Sequence, residues 1–113
     1  MAHRGVEAEE LAAAFLQQHG LKVIARNYRC RFGEIDLIAR DGETLVFVEV
    51  RMRTSDKYGG AAASITTAKR GKLVRAARHY LAGTTRAPAC RFDALLIQGS
   101  RHEVEWLKNA FDG

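Results

Sequence analysis

Cysteine is scarce in this sequence of 113 residues, which contains only Cys30 and Cys90. The two lie far apart in the chain, and their spacing matches no metal-binding motif. One disulfide between them is conceivable, but paired cysteines are characteristic of oxidising compartments. We therefore expect two reduced thiols in a cytoplasmic protein, with the disulfide as the alternative.

Long apolar runs are also missing. No run approaches the roughly 18 residues that span a bilayer, and residues 1–10 contain no continuous apolar segment of the secretory type. The chain shows no repeat, low-complexity stretch or linker, and 47% hydrophobic with 27% charged residues is an ordinary globular composition. We therefore expect one domain over residues 1–113 with no membrane partner.

Familiar catalytic patterns are absent too. There is no glycine-rich phosphate loop and no Ser/His/Asp or Cys/His arrangement, and the four histidines show no mutual ligand spacing. What the chain has instead is positive charge, with 18 Lys and Arg against 13 Asp and Glu and a net charge of +5. An excess of this kind favours an anionic partner, nucleic acid first, although it does not identify one.

Hydrophobic periodicity predicts a mixed α/β fold in the order αβββαββ. The predicted elements are a helix over 6–19, a strand over 21–28, strands over 34–40 and 43–52, a loop over 54–64, a helix over 66–82, and strands over 91–99 and 102–107. Helices and strands do not alternate strictly, so we expect a central mixed β-sheet flanked by helices. The last strand is expected at an edge of the sheet.

The dipeptide Asp41-Gly42 predicts a tight hairpin turn. If these are the two loop residues, Arg40 faces Glu43 across the hairpin. One face of the hairpin is then nearly all apolar, and we expect it to pack into the core. That face carries Ile35, Leu37, Ala39, Thr44, Val46, Val48, Val50 and Met52. The opposite face carries Ile38, Leu45 and Phe47 near the turn and charged residues at the far end.

Three acids gather at the end of the hairpin away from the turn. In the predicted register Glu34 lies opposite Glu49. Asp36 is then a diagonal neighbour of Glu49 across the hairpin, with roughly 7–8 Å between their backbone positions. Like charges opposed across a ladder are destabilising, so the cluster needs cations. If Arg51 and Arg53 supply the positive charge, the cluster is an ion-paired surface. Alternatively a divalent cation supplies it, since Mg²⁺ is usually held by one or two carboxylates.

Both predicted helices add charged residues. Glu9 falls at the margin of the first helix's apolar stripe, where it is either a solvated flank or placed to reach the acid cluster. The predicted nucleic-acid contacts on the second helix are Lys69, Arg70, Lys72, Arg75 and Arg78. Lys72, Arg75, Arg78 and His79 form either a solvated basic face or a surface that tracks phosphates, whose affinity would fall with salt. Lys69 lies near the edge of the apolar stripe, where it either extends past the core to solvent or reaches a phosphate near the acids. Asp93 lies inside an apolar strand, and we expect it to be satisfied structurally.

The segment GEID, eleven residues, then VEVR resembles the metal-binding motif of the PD-(D/E)XK nuclease superfamily, an acid on one strand followed by acid-any-Lys on the next. More of the chain resembles the bacterial family known as UPF0102 or YraN, itself similar to Holliday junction resolvases. The matching segments are G-x-x-A-E (5–9), ARNYR (25–29), GEIDLI (33–38), VFVEVR (46–51), the Gly59 loop, AKRGKL (68–73), AARHYL (76–81), RFDALLI (91–97) and NAF (109–111).

The resemblance implies a restriction endonuclease-like core that hydrolyses DNA phosphodiester bonds with Mg²⁺ or Mn²⁺, with branched or otherwise structured DNA as the expected substrate. Asp36 and Glu49 would be catalytic metal ligands, with the Val50 carbonyl as a third ligand. Glu9 would supplement the metal site, and Glu34 is an additional acid. By analogy with resolvases, the protein would form a homodimer.

The sequence departs from the superfamily motif at Arg51, which takes the place of lysine. Lysine can change its pKa and help to deprotonate water, whereas arginine stays charged. The resemblance therefore implies that Arg51 orients water or stabilises the charge on the phosphorane. Two other interpretations remain, a nucleic-acid-binding protein with this fold and no catalysis, and a structural protein whose acids are ion-paired.

Overall fold

A computed structural model of the chain describes residues 3–53, 67–84, 88–98 and 103–111, with side chains from residue 7 to 52 in the first range. The elements are α1 (His3–Gln18), β1 (Lys22–Cys30), β2 (Gly33–Asp41), β3 (Thr44–Arg53), α2 (Thr67–Leu81), β4 (Cys90–Gln98) and β5 (Glu103–Phe111). The predicted order αβββαββ is confirmed. The predicted loop over 54–64, including Gly59, lies outside the described residues.

The five strands form one sheet in the order β1-β2-β3-β4-β5. Strands β1, β2 and β3 are antiparallel, as are β4 and β5, whereas β3 and β4 are parallel. A parallel pair needs a crossover connection, and the segment between β3 and β4 contains α2. The sheet is therefore mixed, with β1 and β5 at its edges, as predicted for β5.

Helix α1 covers one face of the sheet. Its predicted apolar stripe is confirmed, since Ala8, Ala12 and Leu16 are almost fully buried. The helix ends before Gly20, whose φ of 87° is a conformation that glycine adopts without strain. The buried residues of this first core are Ala8, Ala12, Ala13, Leu16, Leu21, Leu37, Ala39, Val46, Val48, Leu95 and Ile97.

Helix α2 covers the other face. The buried residues of this second core are Ile35, Ile38, Leu45, Phe47, Leu73, Ala76, Ala77, Phe92, Ala94 and Phe111. The prediction for Ile35 was wrong, because it packs in the same core as Ile38 and not with Leu37. Strict alternation cannot place residues three positions apart on one face, so the alternation of β2 breaks between them. With helices on both faces, the hairpin is buried on both sides, which accounts for its apolar runs.

The hairpin turn lies one residue later than predicted. Its central residues are Gly42 and Glu43, because Asp41 pairs with Thr44. Gly42 has a φ of 62°, as expected where glycine takes the first central position of a tight turn. The carboxylate of Asp41 is held by Arg91 at 3.0 Å. The predicted register was therefore wrong by two residues, an even number that leaves the facing of most side chains unchanged.

Asp93 is fully buried within β4. Its carboxylate accepts hydrogen bonds from the Arg91 guanidinium at 2.9 and 3.0 Å, from Trp106 Nε1 at 2.9 Å and from the Asn109 N–H at 2.9 Å. Four donors compensate the burial of this charge and tie β4 to β5. The expectation that Asp93 is satisfied structurally is confirmed. Neither described helix is long and apolar enough to cross a membrane.

Candidate metal and phosphate site

The site lies where the sheet divides. Pairing between β2 and β3 ends at Leu37 and Val48. Beyond that point β2 stays paired with β1 as far as Gly33, while β3 stays paired with β4 as far as Arg53. The two halves of the sheet therefore separate, and we call this division the fork.

Asp36 and Glu49 are the first residues beyond the last β2–β3 pair, one on each strand. The predicted diagonal arrangement was therefore wrong in register, although the two acids do meet, since each influences the ionisation of the other. Glu34 does not lie opposite Glu49 as predicted. It pairs with Arg29 across β1 and β2, with 3.1 Å between Nε and Oε2.

Asp36 is held by the backbone of the facing strand. The Val50 N–H donates to Asp36 Oδ2 at 2.8 Å, so the carboxylate takes the place of a ladder carbonyl at the fork. Burial raises the pKa of Asp36 to about 7, and repulsion from Glu49 adds to this effect, while the Val50 hydrogen bond opposes it. The acid thus retains a proton up to neutral pH unless a cation compensates its charge.

Glu49 contacts Arg51, with 2.7 Å between Oε2 and Nη2. Burial raises the pKa of Glu49, and the Arg51 charge is the main opposing influence. Arg51 Nη2 is thus occupied by Glu49, whereas Arg51 Nε is buried without a hydrogen-bond partner among the described residues. Arg51 Nε is therefore a buried donor that an anion could use.

A cavity of about 390 Å³ opens over the fork. Its lining comes from both helices and both strands: Ala8, Glu9, Gly33, Glu34, Asp36, Glu49, Val50, Arg51, Met52, Lys69, Lys72 and Leu73. Every residue predicted for catalysis or metal binding thus faces one cavity, together with two of the five predicted nucleic-acid contacts. Carboxylates and cationic side chains therefore line the same cavity.

Glu9 reaches the cavity from α1. Burial raises its pKa, a hydrogen bond with the Asn27 side chain opposes that rise, and the charges of Asp36 and Glu34 add to it. Asn27 has a φ of 52° within β1, a conformation that asparagine tolerates better than most residues. Sequence reasoning missed Asn27 as the partner of Glu9, although an asparagine inside a strand-like segment was a visible signal.

Arg29 was also missed. It is the partner of Glu34, for which Arg51 and Arg53 had been the expected cations. The Arg29 side chain is 77% exposed, so the pair is a weak surface contact. The side chain of Arg53 lies outside the described residues.

The basic residues predicted to contact nucleic acid on α2 have different surroundings. Lys72 packs closely against Gly33. A Cβ added to Gly33 would lie only 3.4 Å from the Lys72 Cβ. Arg70 instead lies over the Phe111 ring at 5.5 Å. Arg78 lines a separate cavity beside Phe92 and Phe111, and Arg75 is exposed. Lys69 and Lys72 thus line the cavity at the fork, whereas Arg70 and Arg78 lie elsewhere, and the nucleic-acid contact of all five residues stays a prediction.

The two acids at the fork suit Mg²⁺ or Mn²⁺. In the described part of the chain, no three His, Cys, Asp or Glu side chains converge as a metal cage, so Glu9 and Glu34 share the cavity without completing one. Mg²⁺ needs no such cage, because it binds one or two carboxylates and keeps water or phosphate oxygens as its other ligands. Two half-buried carboxylates whose pKa values are both raised would be stabilised by a divalent cation.

Comparison with known proteins identifies close relatives. The model of the Uncharacterised protein family UPF0102 matches residues 8–97. The UPF0102 protein NE0719 of Nitrosomonas europaea is 63% identical over 111 residues, covering 97% of this chain and 94% of the relative. A UPF0102 protein of Nitrosomonas eutropha is 62% identical over 110 residues, covering 97% and 94%. UPF0102 protein Nmul_A0195 of Nitrosospira multiformis is 60% identical over 110 residues, covering 96% and 92%.

Proposed function

The chain belongs to the UPF0102 family, and from the acids at its fork we propose that it is a divalent-metal-dependent endonuclease that hydrolyses DNA phosphodiester bonds in branched or structured DNA. The observation that carries the proposal is the pairing of Asp36 and Glu49, half-buried and close, in a cavity that also contains Arg51, Lys69 and Lys72. The cationic side chains would bind the negatively charged phosphodiester directly. The two acids would bind it through a metal ion.

Each residue then has a part. Asp36 and Glu49 hold Mg²⁺ or Mn²⁺, and the Val50 N–H fixes the orientation of Asp36. The bound cation would supply a water of lowered pKa and neutralise developing charge. Arg51 directs its buried Nε–H to a phosphate oxygen, which stabilises negative charge without any proton transfer. The superfamily lysine's role in water activation has no counterpart in this scheme.

Lys69 and Lys72 bind the phosphates on either side of the scissile bond. Both line the cavity from α2, and Lys72 is held against Gly33 of β2. We further propose that the protein works in the cytoplasm and as a homodimer, since a junction with two-fold symmetry presents two equivalent strands.

A second function is favoured by a specific observation, namely that Arg51 lies 2.7 Å from Glu49. If this pair persists on DNA, the acids have an internal cation, and the protein binds nucleic acid without cleaving it. The ion-paired structural protein remains a third candidate, since Glu49 contacts Arg51 and Glu34 contacts Arg29.

The test is cleavage of a labelled four-way junction and of a linear duplex of the same arm sequence, in Mg²⁺ or Mn²⁺. Wild type should cleave the junction, and Asp36→Asn should lose at least about a hundredfold in rate while binding DNA with similar affinity. Glu34→Gln is the matched control, an acid in the same cavity that should stay within a few fold. Equal cleavage by Asp36→Asn would assign the activity to a contaminant, and binding without cleavage by wild type would favour the second function.

A further inference from the structure

Three aromatic side chains gather beside the fork, outside the cavity. Tyr28 of β1 is hydrogen-bonded through its hydroxyl to Nδ1 of His79 on α2. Phe32, in the turn between β1 and β2, lies 5.9 Å from His79 between ring centres. His79 is exposed, and Tyr28 and Phe32 are half-buried. We call Tyr28, Phe32 and His79 the aromatic strip.

One arginine lies against the aromatic strip. Arg31 is exposed in the turn that follows β1, whereas Arg26 acts on Glu9 of α1 and Arg29 pairs with Glu34. The Arg31 guanidinium lies 5.0 Å from the centre of the Phe32 ring. Because Arg31 is itself exposed, it covers the ring from the solvent side, where another planar group could take its place. Rings and a cation are thus combined on one small surface.

The aromatic strip is continuous with the cavity. Phe32 precedes Gly33, which lines the cavity and packs against Lys72. Lys72, Arg75 and His79 are spaced three and four residues apart and so follow one face of α2. A DNA strand with one phosphate bound at Asp36 and Glu49 can therefore continue past Lys72 and over Phe32.

We propose that the aromatic strip is a stacking platform for unpaired nucleotides that adjoin the phosphate in the cavity. This rests on the proposed function and specifies its substrate class, DNA with a single-stranded segment next to the scissile bond rather than a continuous duplex. Bases of any identity stack on aromatic side chains, while arginines follow the backbone. Paired bases keep their faces stacked on each other and cannot use such a platform.

A structural role for these residues explains only part of the arrangement. Charged side chains on an edge strand prevent pairing with another sheet, and β1 is an edge strand. That role accounts for the arginines, and packing against the second core accounts for Tyr28. Neither role accounts for Phe32, which contacts His79 and lies in the turn next to Gly33 of the cavity lining.

Binding without metal tests the platform. Fluorescence anisotropy in EDTA would compare a labelled 12-nucleotide single strand with a blunt duplex of the same sequence. Phe32→Leu should weaken single-strand binding by roughly 5- to 30-fold and duplex binding by less than about twofold. The dependence on salt should be unchanged in Phe32→Leu, whereas Arg31→Gln should reduce the slope of log K against log salt by about 0.7.

Phe15→Leu is the matched control. Phe15 is also half-buried and stacked on a histidine, His19 at 4.2 Å, but it belongs to α1 and packs against the first core. It should leave single-strand binding unchanged. If Phe32→Leu does not fold, as judged by its melting temperature, His79→Ala replaces it, because His79 is exposed.

The platform is refuted if Phe32→Leu binds the single strand as wild type does, if it weakens both DNA forms equally, or if Phe15→Leu has the same effect. Those results leave junction cleavage untouched, so the nuclease proposal would stand. Conversely, a selective loss in Phe32→Leu together with no cleavage by wild type would support the platform and remove the nuclease.

Discussion

Replacing Asp36 by asparagine should stabilise the metal-free protein above neutral pH. The asparagine carbonyl can still accept the hydrogen bond from the Val50 N–H, so the fork keeps its geometry. What the substitution removes is a buried negative charge beside Glu49. The variant expected to lose activity should therefore be the more stable protein.

The magnitude follows from the pKa of Asp36, which rises from 3.8 to about 7 on folding. A raised carboxyl pKa means that the folded state binds the proton more tightly, so stability declines as pH rises from about 4 to about 7. At about 1.4 kcal/mol for each pKa unit, the ceiling is roughly 4 kcal/mol. Partial exposure and the shared titration with Glu49 reduce this to about 1–3 kcal/mol.

Urea denaturation in EDTA at pH 5 and pH 8 measures the effect. Asp36→Asn should exceed wild type by about 1–3 kcal/mol at pH 8, and by clearly less at pH 5, where wild-type Asp36 is largely protonated. Glu34→Gln is the control, since Glu34 is more exposed and paired with Arg29; it should change stability by less than about 0.5 kcal/mol. A destabilised Asp36→Asn at pH 8, or the same gain at both pH values, would refute the reasoning.

Three further substitutions have defined outcomes. Asp93→Ala should lower stability by about 3–5 kcal/mol in urea denaturation, because it leaves the Arg91 guanidinium without its buried acceptor; a loss below 1 kcal/mol would contradict this. Arg51→Gln should tighten Mn²⁺ binding several-fold in calorimetry, since the cation that contacts Glu49 is gone, and should reduce DNA cleavage; weaker Mn²⁺ binding would count against the assigned role. Gly33→Ala should cost about 1–2 kcal/mol of stability, because φ is 152° there and α2 packs closely; a neutral change would show that the turn relaxes.

The helices and most of the facing of the hairpin could be predicted because they depend on local spacing. Apolar residues at three- and four-residue intervals identify α1 and α2 wherever the sheet lies. For the hairpin, Asp41-Gly42 and Gly42-Glu43 both satisfy a tight turn, and only long-range contacts such as the Arg91–Asp41 pair distinguish them. The resulting error was two residues, so Asp36 and Glu49 still came together.

The fork could not be predicted from the hairpin sequence. It exists because β2 follows β1 and β3 follows β4 beyond the last β2–β3 pair, and those pairings join distant segments. The partners of Glu34 and Glu9 could not be predicted for the same reason, because they too depend on pairing between distant segments. Arg29 and Asn27 meet Glu34 and Glu9 only through the register of β1, which contains a bulge between Val23 and Ala25.

The most direct test of the central claim, a divalent cation at Asp36 and Glu49, is the change in melting temperature when a few millimolar Mn²⁺ is added at pH 8. A ligand of the folded state stabilises by about 2.7 kcal/mol at a hundredfold excess over its dissociation constant, which is roughly 10 °C for a domain of this size. We predict a clear rise in wild type and none in Asp36→Asn, each measured from its own metal-free value. No rise in wild type, or the same rise in both proteins, would contradict the assignment.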